Sequence, residues 1–385
     1  MLRITSGATL TESGWSSADV LISGAGVIAG ESCASSATLD ASGLLVLPGI
    51  VDIHGDAFER QIMPRPGVIF DLRTALLETD RQLAANGVTT AYHGVTCSWE
   101  PGLRSIETSR SFLRALTDLR RDLKVDTRFH LRHETFNLEA EAEVRAWLEA
   151  GLVHALAFND HMRGILRGGG VKASKIAGMV ERSGLGRDDF LSLVERVAGR
   201  ESDVPASIVR LAAVARACGV PLLSHDDRNL EDRAFYRGQG CRISEFPMSE
   251  EVAAEARSAG EATVFGAPNV LRGGSHIGCP GAEDMASRGL CSILASDYYY
   301  PSLLAAPFLL AAGGACEMAQ AWDMVSRNPA RALGLDDRGV IASGKRADLI
   351  LVESAVDGPK LVASIIGGEI AVISDCSRLG LRRAA

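Results

Sequence analysis

The sequence lacks several features that define whole classes of protein. Its eight cysteines include no C-x-x-C pair, which favours reduced thiols over a disulfide framework. Its longest apolar stretch, residues 303–315, is interrupted by Pro307 and Gly313 and is shorter than the roughly 20 residues that span a bilayer. Residues 1–10 lack the continuous apolar segment of a secretory signal, so we expect a cytoplasmic protein without a membrane partner.

The sequence also lacks a run of charge of one sign. Forty basic and forty-eight acidic residues give a formal charge of -8, and acidic residues interrupt the arginine-rich stretches. Nucleic acid is therefore not an expected partner. No phosphate-binding G-x-x-x-x-G-K-[ST] loop is present. The segment Gly24-Ala-Gly-Val-Ile-Ala formally fits a dinucleotide fingerprint, but turn-like and strand-like residues follow it instead of a helix, which favours a β-turn.

The 385 residues, 46% of them hydrophobic, suffice for one large domain and an appendage. Residues 1–48 and 335–385 are predicted to be two β arms. Residues 49–334 alternate apolar, strand-like runs with helical ones, which predicts an α/β fold, a TIM-like (β/α)₈ barrel. Its eight strands are predicted to start near Leu47, Val88, Arg128, Leu152, Pro221, Cys241, Ala262 and Ser292.

The interval 161–220 contains three helix-like stretches and no convincing strand. It includes the flexible sequence Gly168-Gly-Gly. We interpret it as a lid that could hinge over the mouth of the barrel.

A strand that ends in His54 and Asp56 is the strongest local indication of a site. Side chains two residues apart on a strand point the same way, so this imidazole and this carboxylate form half of a metal site. Glu59 lies three residues further on and could support the pair or contact substrate. The position is also suitable, because barrel enzymes keep their chemistry at the carboxyl ends of the strands.

Other acidic and histidine residues follow later predicted strands in the same way. Each of them alone could be a hydrogen-bonded interior or surface residue, but together they would meet at one rim. They are Glu134, His161, His225, His276 and Asp297. Imidazoles and carboxylates without thiolates suit Zn²⁺, Mn²⁺ or Fe²⁺ at one or two centres, and hydrolysis is the natural use. Glu134 is the candidate bridging ligand, and Asp297 is the candidate catalytic acid and base.

Five motifs occur along the chain in this order: Leu47-Pro-Gly-Ile-Val-Asp-Ile-His-Gly-Asp, Gly87-Val-Thr-Thr, the late Asp297, Asn328-Pro-Ala-Arg and Gly344-Lys-Arg-Ala-Asp-Leu. In these motifs and in their order, the whole chain resembles the amidohydrolase superfamily. Within it, the chain is similar to the phosphonate-utilisation branch. The segments that carry this similarity include His54-Gly-Asp-Ala-Phe-Glu, His130-Leu-Arg-His-Glu, Ser224-His-Asp-Asp and Gly266-Ala-Pro-Asn-Val-Leu-Arg-Gly-Gly-Ser-His.

This resemblance implies a metallohydrolase barrel beside a small composite β-sandwich that both arms form. It implies two divalent ions, with Zn²⁺ the first choice, and release of pyrophosphate from α-D-ribose 1-methylphosphonate 5-triphosphate or a related phosphorylated ribosyl compound. The implied metal ligands are His54, Asp56, Glu134, His161, His225 and Asp297. His161, His225 and His276 compete for two of these places, and we favour the first two because they end clear strands.

Arginines supply the cationic groups that a triphosphate needs. The predicted substrate-binding residues are Arg60, Arg65, Arg132, Arg272, Ser275, His276 and Glu59. The chain departs from the branch pattern after His161 and after His276, which leaves a sister specificity open. Two other functions also remain open, cleavage of an N-acyl amino acid or cyclic amide and a non-catalytic binding subunit. A homodimer is the default assembly.

Overall fold

The computed structural model describes residues 1–30, 37–65, 67–167, 173–274 and 279–381. Within these ranges, six strands precede the barrel: β1 (Leu2–Thr5), β2 (Ala8–Thr11), β3 (Gly14–Ser16), β4 (Val20–Ile22), β5 (Ala37–Asp40) and β6 (Leu45–Pro48). The barrel strands are β7 (Ile50–Gly55), β8 (Val88–Cys97), β9 (Asp126–Glu134), β10 (Ala155–Asn159), β11 (Leu222–His225), β12 (Ile243–Glu245), β13 (Ala262–Gly266) and β14 (Ile293–Ala295). Four strands follow: β15 (Leu349–Ala355), β16 (Gly358–Ile366), β17 (Glu369–Ile373) and β18 (Leu379–Leu381).

Helices connect the barrel strands and extend beyond the last of them. They are α1 (Glu59–Ile62), α2 (Leu72–Ala85), α3 (Ile106–Leu119), α4 (Glu141–Glu149), α5 (His161–Arg167), α6 (Ala173–Ser183), α7 (Arg187–Ala198), α8 (Val204–Ala217), α9 (Leu230–Gln239), α10 (Glu250–Ser258), α11 (Ala267–Arg272), α12 (Ala282–Ser287), α13 (Ser302–Ala312), α14 (Met318–Asp323) and α15 (Arg327–Ala332). Short 3₁₀ turns occur at Gly102–Arg104, Leu138–Ala140, Glu201–Asp203 and Cys376–Arg378. Among the described residues, no helix combines the length and apolar character needed to cross a membrane.

The two ends of the chain build a shared β unit beside the barrel. One sheet has the order β18-β5-β1-β4, and the other has the order β17-β16-β15-β6-β2-β3, so each contains strands from both arms. Apolar side chains of the two sheets bury one common core, which includes Ile4, Leu39, Val46, Leu351 and Ile365. The composite β unit implied by the resemblance is confirmed. The boundaries at residues 48 and 334 stay a prediction.

The central sheet has eight parallel strands in the order β7 to β14, each bonded to the next in the sequence. All eight predicted strands exist and start within three residues of the predicted positions. The TIM-like barrel is therefore confirmed. Leu47 belongs to β6 of the composite unit, and the first barrel strand starts at Ile50, because the chain changes sheets at Gly49.

The barrel closes between β7 and β14 through a few specific contacts. The backbone N–H of Asp297 donates to the carbonyl of His54 at 2.9 Å, and the N–H of Asp56 donates to the carbonyl of Asp297 at 2.8 Å. The buried Asp52 carboxylate accepts from the N–H and the hydroxyl of Ser296 at 3.1 and 2.6 Å. The residues that close the barrel therefore include three of the predicted site residues.

The described residues of the predicted lid interval contain four α-helices, α5 to α8, where three helix-like stretches were predicted. No strand occurs in its described residues, as predicted. The last of these helices, α8, packs against α4 as an ordinary helix of the barrel's outer layer. The predicted hinge at Gly168 to Gly170 lies outside the described residues.

Gly49 connects the composite unit to the barrel at a place with no room for a side chain. A Cβ there would lie 2.3 Å from Oγ1 and 2.4 Å from Cγ2 of Thr89, which is fully buried in β8. Because Thr89 is β-branched, it has few alternative rotamers with which to move away.

We expect Gly49→Ala to lower the free energy of unfolding by about 1–3 kcal/mol, because overpacking at this junction must displace the Thr89 side chain or the backbone. Urea titration of the purified protein measures this change. Gly24→Ala is the matched control, since nothing lies within 4 Å of a Cβ there, and it should shift stability by less than about 0.5 kcal/mol. Equal stability of the two variants would contradict the steric argument.

Candidate functional site

Carboxylate and imidazole groups meet at the carboxyl ends of the barrel strands. The ligand atoms of His54, Asp56 and Asp297 lie within 4.8 Å of one another, as do those of His54, His225 and Glu245. The two groups share His54, so the ends of the first, fifth, sixth and eighth barrel strands converge on it. Nitrogen and oxygen donors at this spacing suit a divalent cation.

Three non-glycine residues with left-handed backbone shape this rim. Asp226, Phe246 and Asp297 follow the ends of β11, β12 and β14 and have φ of 58°, 53° and 53°. Each donates its backbone N–H to the neighbouring strand, from Asp226 to Glu245, from Phe246 to Val264 and from Asp297 to His54. Such a backbone costs energy for a non-glycine residue, and here the surrounding hydrogen bonds hold it in place.

Glu134 and His161 form a pair next to the cluster around His54. The Glu134 carboxylate lies 2.6 Å from Nδ1 of His161 and accepts its backbone N–H at 3.3 Å. Burial alone raises the pKa of Glu134, but the His161 ring, its hydrogen bonds and Arg132 outweigh that effect and bring the pKa to about 2. Glu134 is therefore ionised at neutral pH. The His161 and His225 rings lie 6.4 Å apart between centroids, which places the pair beside the shared cluster.

Arg132 lies in the middle of the site. Its Nη1 donates to Asp56 at 3.3 Å and its Nη2 donates to Nε2 of His225 at 3.3 Å. The Asn159 amide, oriented with its oxygen towards this guanidinium, accepts two further bonds at 3.2 and 3.3 Å. Arg132 thus links the ends of four different strands and places a fixed positive charge among the carboxylates.

Glu245 is a site residue that sequence reasoning did not single out. It is fully buried, and its Oε1 lies 3.0 Å from Nδ1 of His54. Its Oε2 has no hydrogen-bond partner among the described residues and lies 3.9 Å from Nε2 of His130, which also has none. The residue closes a predicted strand, so the criterion that found Glu134 and Asp297 could have found it too.

The protonation state of His54 suits a metal ligand. Burial, together with the positive charge of Arg132, keeps the pKa of His54 well below its usual value, so its ring is neutral. A neutral imidazole beside carboxylates, with a buried unpaired carboxylate oxygen on Glu245, is the kind of set that binds divalent cations.

The predicted substrate-binding residues have different surroundings. Glu59 forms a two-pronged ion pair with Arg104, at 2.9 and 2.7 Å, which commits its carboxylate to a protein partner. Arg60 and Arg272 both contact Tyr298, the residue after Asp297. Arg65 is exposed in a turn. Ser275 and His276 lie outside the described residues.

A cavity of about 140 Å³ opens beside the cluster. Its polar wall contains Arg132, His225, Asp226 and Asp297, and its apolar wall contains Phe246, Met248 and Phe265. The Phe246 ring meets the His54 and His225 rings edge-on, with centroids 5.0 and 5.2 Å away. A reacting group in this cavity would therefore meet the donor cluster on one side and apolar side chains on the other.

Two other histidines, His93 and His154, lie outside the donor cluster and contact residues of the protein interior. His93 is buried between the rings of Phe58 and Phe112, and its Nε2 has no hydrogen-bond partner among the described residues. Burial lowers its pKa to about 4. The Nδ1 of His154 accepts the backbone N–H of Phe129. Neither ring belongs to the two donor groups around His54.

The comparisons with known proteins concern the family and the fold of the chain. The amidohydrolase family model matches residues 202–371. The alpha-D-ribose 1-methylphosphonate 5-triphosphate diphosphatase of Escherichia coli K12 is 32% identical over 320 residues, which cover 81% of this chain and 84% of the relative. Among solved structures, the chain is similar to dihydropyrimidinase from Brevibacillus agri, with a TM-score of 0.57, 14% identity and coverage of 96% and 95% of the two chains. Molinate hydrolase gives a TM-score of 0.63, with 14% identity and coverage of 96% and 94%. At this identity the two structures support the fold alone.

Replacement of His93 by Leu is expected to change how stability depends on pH. In the wild type, His93 becomes protonated near pH 6.5 when unfolded but only near pH 4 when folded, so stability falls as the pH drops through this range. The variant lacks this pH-dependent contribution. Between pH 6.5 and 4, its free energy of unfolding should therefore fall by about 1–3 kcal/mol less than that of the wild type. Urea unfolding at several pH values measures both curves, which should run parallel above pH 7. Parallel curves over the whole pH range would show that His93 does not cause this pH dependence.

Glu245→Gln is expected to weaken Zn²⁺ binding about 10- to 100-fold, because it removes the negative charge beside Nδ1 of His54. Titration against a competing fluorescent chelator measures the affinity. Glu250→Gln is the control, since Glu250 is exposed on α10 and pairs with Arg288, and its affinity should equal that of the wild type. Equal affinities in all three proteins would show that Glu245 does not support the metal site.

Proposed function

Because the chain belongs to the amidohydrolase family, whose members are metal-dependent hydrolases, we propose that it releases pyrophosphate from α-D-ribose 1-methylphosphonate 5-triphosphate or a closely related phosphorylated ribosyl compound. The observation that carries this proposal is the juxtaposition at one barrel mouth of a metal-donor cluster and two arginines without carboxylate partners among the described residues. The donors suit a cation, and the arginines suit a polyphosphate. The relationship to the Escherichia coli diphosphatase supports the choice of substrate.

We propose His54, Asp56, Glu134, His161, His225 and Asp297 as the residues that hold the metal, with Glu245 as a further ligand or as the partner of His54. The family uses divalent metals, and we propose two ions, with Zn²⁺ the first choice and Mn²⁺ or Fe²⁺ as alternatives. A bound divalent ion supplies charge that lowers the pKa of water and polarises the phosphoryl oxygens.

The protein's own groups account for the remaining steps. Asp297 accepts a proton from the attacking water, whose oxygen forms a bond to the α-phosphorus. The anhydride bond between the α- and β-phosphates breaks, and its electron pair leaves with the pyrophosphate. Arg132, fixed between Asp56 and His225, offsets the negative charge that builds on the α-phosphate. The backbone of Asp297 is fixed on both sides by bonds to His54 and Asp56, which keeps its carboxylate directed at the cluster.

Amide hydrolysis is the alternative that the experiment must test, because the same metal chemistry cleaves amides and because part of the cavity wall is apolar. The family relationship and the two candidate donor groups around His54 support a catalytic protein over the non-catalytic alternative. Homodimerisation stays a prediction.

The metal-loaded protein is expected to release pyrophosphate from the ribosyl phosphonate triphosphate, and Asp297→Asn is expected to lower this rate by about 10²- to 10⁴-fold, because an amide cannot accept the proton. A coupled pyrophosphate assay measures the rate, and N-acyl amino acids and cyclic amides are tested in parallel. Asp284→Asn on the exposed face of α12 is the control and should keep the wild-type rate. Hydrolysis of the amides, without pyrophosphate release, would overturn the proposal.

A further inference from the structure

Tyr298 brings together two arginines from distant parts of the chain. Arg60 lies in α1, after the first barrel strand, and Arg272 ends α11, after the seventh. The Arg60 guanidinium lies over the Tyr298 ring, with its Cζ 5.8 Å from the ring centroid, and Nη1 of Arg272 donates to the Tyr298 hydroxyl at 3.3 Å. Arg60, Arg272 and Tyr298 all follow barrel strands, and Tyr298 comes directly after Asp297, so the three residues lie at the same end of the barrel as the candidate metal ligands.

These two arginines differ from the others near the site in their charge balance. Arg104 pairs with Glu59 and Arg132 pairs with Asp56, so each of them has a carboxylate partner inside the protein. Arg60 and Arg272 are exposed, and neither pairs with a carboxylate in the part of the chain that the structure describes. Two guanidiniums held by one tyrosine side chain, one at its ring and one at its hydroxyl, repel each other, and an anion with several charges placed between them relieves that repulsion.

The position in the barrel points to the same chemistry. Barrels of this type often bind phosphate with the loops after their seventh and eighth strands, and those loops carry Arg272 and Tyr298 here. A ring face attracts a guanidinium without neutralising it, so Tyr298 can fix Arg60 and leave its hydrogen-bond donors free for a ligand.

We propose that Tyr298 is a positioning residue that holds Arg60 and Arg272 as a clamp on the two outer phosphates of the substrate, the ones that leave as pyrophosphate. This inference rests on the proposed function. The clamp selects a triphosphate over a diphosphate, because only a triphosphate has two phosphates beyond the one that water attacks. Arg60 and Arg272 therefore set the length of the polyphosphate chain, while the donor cluster performs the chemistry.

Binding of inorganic pyrophosphate to the metal-loaded protein tests the clamp without turnover. Isothermal titration compares pyrophosphate with inorganic phosphate in the wild type, Tyr298→Phe and Tyr298→Leu. We expect Tyr298→Leu to bind pyrophosphate about tenfold more weakly and phosphate less than about twofold more weakly, because it releases both arginines. Tyr298→Phe keeps the ring that Arg60 contacts but loses the hydroxyl that Arg272 contacts, so its affinity should lie between those of the wild type and Tyr298→Leu. Tyr299→Leu is the matched control, an exposed neighbouring tyrosine, and should bind like the wild type.

A steady-state measurement separates positioning from a general structural defect. In Tyr298→Leu, the KM for the triphosphate should rise about tenfold while kcat falls less than about threefold, at unchanged metal content. Arg60→Gln and Arg272→Gln should each raise KM in the wild type but have little further effect in the Tyr298→Leu background, since residues that act as one unit are not additive.

The outcomes distinguish the two proposals. If the triphosphate is hydrolysed but every Tyr298 variant binds pyrophosphate like the wild type, the clamp is wrong and the proposed function stands. If the triphosphate is not hydrolysed but Tyr298→Leu still weakens pyrophosphate binding, the clamp stands and the named substrate is wrong. A wild-type protein that binds pyrophosphate no better than phosphate would overturn the clamp.

Discussion

Closure of the barrel between its first and last strands is the constraint on which the site depends. The buried Asp52 carboxylate accepts hydrogen bonds from the backbone N–H of His54 and from the backbone N–H and hydroxyl of Ser296. The bonds from Ser296 connect the last barrel strand to the first. Burial raises the pKa of Asp52 to about 6, and these hydrogen bonds limit the rise, so the carboxylate is mostly ionised at neutral pH. The same closure fixes the backbone of Asp297 against His54 and Asp56. Closure of the barrel therefore also sets the backbone positions of these three candidate metal ligands.

The charges of the site are arranged in two layers. The inner layer contains carboxylates and neutral imidazoles around His54, with Arg132 as a fixed positive charge among them. The outer layer contains the exposed arginines at Tyr298. The inner layer favours cations and the outer layer favours anions, so a divalent ion and a polyphosphate can occupy neighbouring positions without competing for the same groups.

Much of this arrangement could be predicted from the sequence, because the carboxyl ends of parallel strands meet at one rim. That rule located His54, His225 and Asp297 from short local patterns. Partners that depend on packing could not be located in this way. The pairing of Glu59 with Arg104, 45 residues away, and the contact between Glu245 and His54, 191 residues away, arise only when the helices and strands are assembled. A local pattern gives the direction of a side chain but not the group that it meets.

The left-handed residues that follow three of the strands separate the rim from the loops beyond it. Each of them donates its backbone N–H to the neighbouring strand at the point where the chain leaves the barrel. Asp226 donates to Glu245 and Phe246 donates to Val264. Insertions or deletions further along those loops can therefore alter what the mouth recognises and leave the ligand-bearing backbone unchanged. A barrel with this rim can diversify in specificity over evolutionary time while it keeps the same reaction centre.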